Sequence, residues 1–144
     1  MDNQRVVIVT GGFDPVHSGH IAYLQAAAAL GDVLCVGVNS DAWLTRKKGK
    51  PFLPFEERRE IVSAIKGVDI VVRFDDSDGS ARDCIRLVRL IHPHDHLIFA
   101  NGGDRTKDNI PEMDIEDHDI SFVFGVGGED KRNSSSWILN GWKS

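Results

Sequence analysis

Three features of the 144-residue sequence predict a three-layer α/β/α sandwich around a mainly parallel, five-stranded, Rossmann-like sheet. Short β-branched apolar runs alternate with segments of helical periodicity. The runs are continuous, as strands buried on both faces require, and glycine or proline separates them from the helical segments.

Arg5 to Thr10 (RVVIVT) reads as the first strand, closed by Gly11-Gly12. From Ser18 the segment holding HIAYLQAAAAL is rich in helix formers and stops at Gly31. Val33 to Asn39 (VLCVGVN) repeats the buried-strand pattern, which makes the opening unit β-α-β with a right-handed crossover. Asp41 to Lys50 is a polar, basic stretch read as a loop. After Pro54, Phe55 to Lys66 carries Ile61, Ala64 and Ile65 at helical spacing, and Asp69 to Phe74 supplies a third strand. The acidic loop Asp75 to Ser80 precedes ARDCIRLVRLIH, where Cys84, Leu87, Val88 and Ile91 are expected to share a helix face. His96 to Ala100 is the fourth strand and Ile120 to Phe124 the fifth. Asn101 to Asp117, between them, is irregular or partly helical, and a short helix is expected from Ser134.

The length suits one domain spanning 1–144, and the composition, 41% hydrophobic and 27% charged, is that of a globular chain. A net charge of −5 argues against a general nucleic-acid binder, because phosphate backbones select basic faces. Cys35 and Cys84 give neither a disulfide framework nor metal spacing, and are expected to be core thiols in a reducing compartment. The N-terminal apolar run is too short for a signal core or a membrane span, so a cytoplasmic location is expected.

Ligands of open α/β sheets bind beyond the carboxyl ends of the strands, and there the sequence concentrates glycine and polar residues. The most informative stretch is Gly11-Gly12-Phe13-Asp14-Pro15-Val16-His17-Ser18-Gly19-His20. His17 and His20, three apart at a helix start, face the same way. Gly12 and Gly19 allow close backbone approach, and the free N–H groups of a helix N-terminus attract phosphate. Paired imidazoles there can donate to the oxygens of a reacting phosphoryl group, a chemistry that needs charge stabilisation more than a protein nucleophile. The competing reading is that His17 merely caps the helix and His20 is a core residue.

GGFDPVHSGH closely resembles the signature of the cytidylyltransferase-like nucleotidyltransferase family, a glycine-rich Phe-Asp loop followed by HxGH. The resemblance continues through VGVNSD at Val36 to Asp41, RKKGKP at Arg46 to Pro51, EERR at Glu56 to Arg59, VDIVV at Val68 to Val72, and NGGD at Asn101 to Asp104. It is strongest to glycerol-3-phosphate cytidylyltransferases and to the adenylyltransferase domain that activates heptose phosphate. The resemblance implies direct in-line attack by an acceptor phosphate or phosphonate oxygen on the α-phosphorus of a nucleoside triphosphate, with release of pyrophosphate. Cytidylyl transfer from CTP to a phosphorylated small molecule is the first expectation. Adenylyl transfer from ATP to a sugar phosphate, or a non-catalytic nucleotide-binding module, is the alternative.

Carried over residue by residue, Gly12, Phe13 and Gly19 would lie against the nucleotide, and His17 and His20 would contact its phosphates. Lys47 would face the acceptor phosphate, Lys48 or Lys50 the triphosphate, Arg58 would reach the site from its helix, and Asp104 would lie by the nucleotide. The plain alternatives are a solvated basic loop for the lysines and an exposed helix charge for Arg58. Magnesium would accompany the triphosphate with few protein ligands, and no metal ligand is assigned. Relatives are often dimers, so a homodimer is expected.

The sequence departs from the family pattern in its last motif, Gly127 to Ser136. Ser134 and Ser135 match phosphate-binding serines at a helix start, but Glu129 stands where many relatives have arginine, so Lys131 or Arg132 would have to substitute. His92, His94 and His96 alternate around Pro93; without a companion ligand set they read as an exposed turn and not as a zinc site. Trp43, Trp137 and Trp142 read as packing residues. A dinucleotide-dependent oxidoreductase is disfavoured, because the first strand is not followed by GxGxxG.

Overall fold

A computed structural model describes residues 3–102 and 110–127. The chain runs β1 (Arg5–Gly11), α1 (Ser18–Ala28), β2 (Val33–Val38), α2 (Asp41–Lys48), α3 (Phe55–Ser63), β3 (Ile70–Arg73), α4 (Arg82–Ile91), β4 (His96–Gly102), a 3-10 turn (Pro111–Asp114) and β5 (Ile120–Val126). The five strands form one sheet in the order β3-β2-β1-β4-β5, and each neighbouring pair is parallel. This is the expected Rossmann-like architecture.

Strand period sorts the core into two layers. Val7 and Val9 of β1, Leu34, Val36 and Val38 of β2, and Ile98 and Ala100 of β4 pack under Leu24 and Ala27 of α1 and Phe55 and Val62 of α3. Val6 and Ile8, Cys35, Val72, and Leu97 and Phe99 face the other way, onto Cys84, Ile85 and Val88 of α4. Helices therefore cover both faces, and the continuous apolar runs follow from that. Both cysteines are free and buried, and burial pushes the Cys35 thiol up to about 12.

Three expectations need correction. Asp41–Lys48 is a helix and not a loop. Its apolar content is too small for a stripe, but Ser40 caps it by accepting the Trp43 N–H, Asp41 opens it, basic residues close it, and Gly49 ends it at φ +96°. On α4 the buried positions are Cys84, Ile85 and Val88, while Ile91, the last residue of the helix, is 53% exposed. On α3 the inward face is Phe55, Arg58 and Val62, and Ile61 points outward. No helix among the described residues is long and apolar enough to cross a membrane.

Candidate active site

With β1 between β2 and β4, the chain leaves β1 and β2 toward one edge of the sheet and β4 toward the other, which puts the switch point, where open α/β sheets bind ligands, beyond the carboxyl end of β1. The glycine-rich loop and the N-terminus of α1 occupy that point. Tyr23 of α1 donates its hydroxyl to Ala100 O at 2.8 Å and packs on Gly102, where an added Cβ would meet the Tyr23 ring at 2.9 Å.

His17 is the N-cap of α1. Its Nδ1 accepts the Gly19 N–H at 3.1 Å, and His20 Nδ1 accepts the His17 N–H at 3.2 Å, so the two side chains form a reciprocal capping box. A ring nitrogen that accepts a backbone N–H carries no proton, which places the proton of each neutral imidazole on Nε2. The rings stack with centroids 3.9 Å apart at 25°. Both are half-buried, so capping and presenting an Nε2–H donor are compatible roles for the same residues.

Burial depresses the His20 pKa to about 4, helped by the neighbouring His17 and then by Lys47. The ring is therefore a neutral donor near pH 7. Phe13, held at φ +50° and almost fully buried, lays its ring edge against His20 at a centroid distance of 5.0 Å. A left-handed non-glycine residue costs about 1 kcal/mol and persists where packing holds it. At Gly12 an added Cβ would approach Leu44 Cδ2 to 3.0 Å and Trp43 to 3.4 Å, so α2 packs directly on the loop.

The basic residues separate into distinct roles. Lys47, in the last turn of α2, has its ammonium 4.9 Å from the Trp43 ring centroid and lies near enough to His20 to affect its titration. Lys48 is bound to Asp14, through Oδ2 at 2.7 Å and the backbone carbonyl at 2.7 Å. Lys50 is exposed just beyond Gly49.

Arg58 is not an exposed helix charge, since it is fully buried. Its Nε donates to Leu53 O at 2.9 Å, Nη1 to Gly12 O at 2.9 Å and Asn39 O at 2.7 Å, and Nη2 to Asp41 Oδ1 at 2.7 Å. It lies beneath the glycine loop and ties the ends of β1 and β2 together. The exposed pairs of that helix are Glu56 with Arg59 and with Arg73.

Sequence reasoning overlooked the buried carboxylates that complete this frame. Asp76, 4% exposed, accepts Asn39 Nδ2, the Ser40 N–H and Ser40 Oγ, while its carbonyl takes Arg46 Nη2. Asp14, 3% exposed, accepts the Phe52 and Leu53 N–H groups. Asp76 lies in a stretch whose acidity reads as solvation. A polar Asn39-Ser40 pair directly after an apolar strand was the available hint of a buried acceptor nearby.

A depression of about 350 Å³ beyond β2 and β3, lined by Ser40, Asp41, Phe55 and Arg73 among others, contains none of the glycine-loop residues. Asp104, Ser134 and Ser135, like Glu129, Lys131, Arg132, Trp137, Trp142 and the helix expected from Ser134, lie outside the described residues. At the opposite, amino ends of the strands, His92 pairs with Asp95 at 2.9 Å and His96 with Asp119 at 2.6 Å. Among the described residues no group of three or more His, Cys, Asp or Glu side chains could hold a metal.

The family profile described as cytidylyltransferase-like matches residues 8–123. A bifunctional protein HldE of Pelobacter propionicus is 38% identical over 141 residues, 94% of this chain and 27% of that protein. One of Geotalea uraniireducens is 38% identical over 143 residues, 96% of this chain and 28% of its own. The chain thus spans about a quarter of the length of these curated relatives. A lipopolysaccharide core biosynthesis protein of Thermoplasma volcanium superposes with a TM-score of 0.63 at 25% identity, covering 85% of this chain and 96% of that one.

Proposed function

Because the chain belongs to the cytidylyltransferase-like family, we propose that it is a nucleotidyltransferase that moves an adenylyl group from ATP onto a sugar phosphate and releases pyrophosphate. The observation that carries this reading is the capping box at the mouth of α1, which aims two Nε2–H groups from one backbone turn. The resemblance of the sequence to the adenylyltransferase domain that activates heptose phosphate, together with the bifunctional HldE relatives, supports ATP over CTP, the first expectation from sequence. CTP is the second reading, supported by the family's description and by the GGFDPVHSGH loop.

In this mechanism an acceptor phosphate oxygen attacks the α-phosphorus in line. The bond to the β-phosphate oxygen breaks, and pyrophosphate leaves with the electron pair. His17 and His20 donate from Nε2 to the non-bridging oxygens as charge develops there, and the positive end of the α1 dipole adds to the same field. Gly12, Phe13 and Gly19 shape the nucleotide side of the loop. Lys47 orients the acceptor phosphate, and Lys50 stands on the triphosphate side. Arg58 holds the Gly12 carbonyl, and so acts on the nucleotide loop from beneath.

Magnesium accompanying the triphosphate would neutralise part of its charge, and a cation carried by its substrate needs no cage of side chains. The N–H donors of the glycine-rich loop suit the anionic triphosphate that would carry the cation. The test is pyrophosphate release with ATP and CTP, each offered with a sugar 1-phosphate and with glycerol 3-phosphate. Release with ATP and the sugar phosphate is expected. Binding of both nucleotides without release from any pair would leave a non-catalytic nucleotide-binding module.

A further inference from the structure

We propose that Asp14 is a positioning residue whose carboxylate latches the α2–α3 segment onto the glycine-rich loop and thereby places Lys47 for the acceptor phosphate. The inference rests on the nucleotidyltransferase reading for its substrate, and on geometry for the latch. Asp14 Oδ2 accepts the Phe52 N–H at 2.6 Å and Oδ1 the Leu53 N–H at 2.6 Å. Lys48 Nζ adds a contact at 2.7 Å to Oδ2 and another at 2.7 Å to the Asp14 carbonyl.

One buried side chain therefore grips both ends of the connection. Lys48 ends α2, and Phe52 and Leu53 lie just before α3. Leu53 is held from both sides, its N–H by Asp14 and its carbonyl by Arg58. Lys47 precedes Lys48 in the same helical turn, its ammonium 4.9 Å from the ring centroid of Trp43, which packs on Gly12. The ion pair therefore fixes the rotation of α2 that holds Lys47 beside the glycine-rich loop. A buried carboxylate with three strong donors is a rigid joint, because any displacement leaves charge or N–H groups unpaired.

Asparagine at this position keeps one acceptor oxygen and turns an N–H donor against a backbone N–H, so it opens half of the latch. Lys48→Met removes the ion pair and the ammonium's bond to the Asp14 carbonyl, and keeps the Phe52 and Leu53 N–H contacts. In full-chain steady-state assays, Asp14→Asn should raise the acceptor KM about tenfold or more, with the Kd of a non-hydrolysable triphosphate changed less than about threefold. Lys48→Met should give a smaller rise of the same kind. Hydrogen exchange supplies a readout independent of activity: in Asp14→Asn the Phe52 and Leu53 amides should exchange about a hundredfold faster, with β1 and α1 unchanged.

Unchanged acceptor KM in both variants overturns the proposal, as does a loss of triphosphate affinity in step with the KM. If the wild type transfers no nucleotide at all, the functional reading fails. The latch is then judged by exchange alone, and unaltered protection at Phe52 and Leu53 overturns it.

Discussion

His17 and His20 each use Nδ1 to hold the backbone at the start of α1, so one turn of chain orients both imidazoles. Their rings lie 3.9 Å apart and nearly parallel. Two like-charged imidazolium rings would repel at that distance, and the arrangement is built for neutral Nε2–H donors.

The first prediction concerns that protonation pattern. At pH 7, long-range nitrogen–proton NMR correlations should show His17 and His20 as Nε2–H tautomers. An Nδ1–H tautomer at either residue would contradict the capping geometry.

Acid sensitivity provides a second check. The folded His20 pKa of about 4 lies below the ordinary imidazole value of 6.5, so as pH falls the unfolded chain takes up the proton first. The corresponding stability is complete above about pH 6.5 and is lost between there and about pH 4. Urea unfolding midpoints of the wild type should therefore fall more steeply over this window than those of His20→Gln. Parallel pH profiles would contradict the burial of the ring.

A third prediction separates Arg58 from its neighbour. Arg58→Met strips donors from the Leu53, Gly12 and Asn39 carbonyls and should cost about 3 kcal/mol or more in chemical denaturation. The ion pair itself contributes little of this, since the Asp41 side chain is 46% exposed. Arg59→Ala, on the exposed face, should change stability by less than about 0.5 kcal/mol. Equal effects would mean that Arg58 is not a buried joint.

The residues that could be read from sequence and those that could not differ in the kind of signal they leave. Val6–Val9 and Val33–Val38 announce buried strands because burial on both faces demands continuous apolar runs. His17 and His20 stand out because their spacing at a helix start puts both on one face. α2 left no stripe, burying only Leu44, although its Ser40 cap, Asp41 start and Gly49 stop were all present as end signals. Arg58, Asp14 and Asp76 leave no periodic trace, because a buried charge is chosen by partners distant in sequence. The same chemistry that makes Arg58 look like surface made its burial unreadable until Gly12 and Asn39 were brought together.

The turnover number of His17→Asn tests the central claim most directly. Asparagine keeps a helix-capping oxygen and removes the Nε2–H donor, so fold and cap should survive. In a pyrophosphate-release assay kcat should fall about a hundredfold or more, with triphosphate Kd within about threefold of wild type. A kcat equal to wild type would contradict the assignment of that imidazole to the reacting phosphorus.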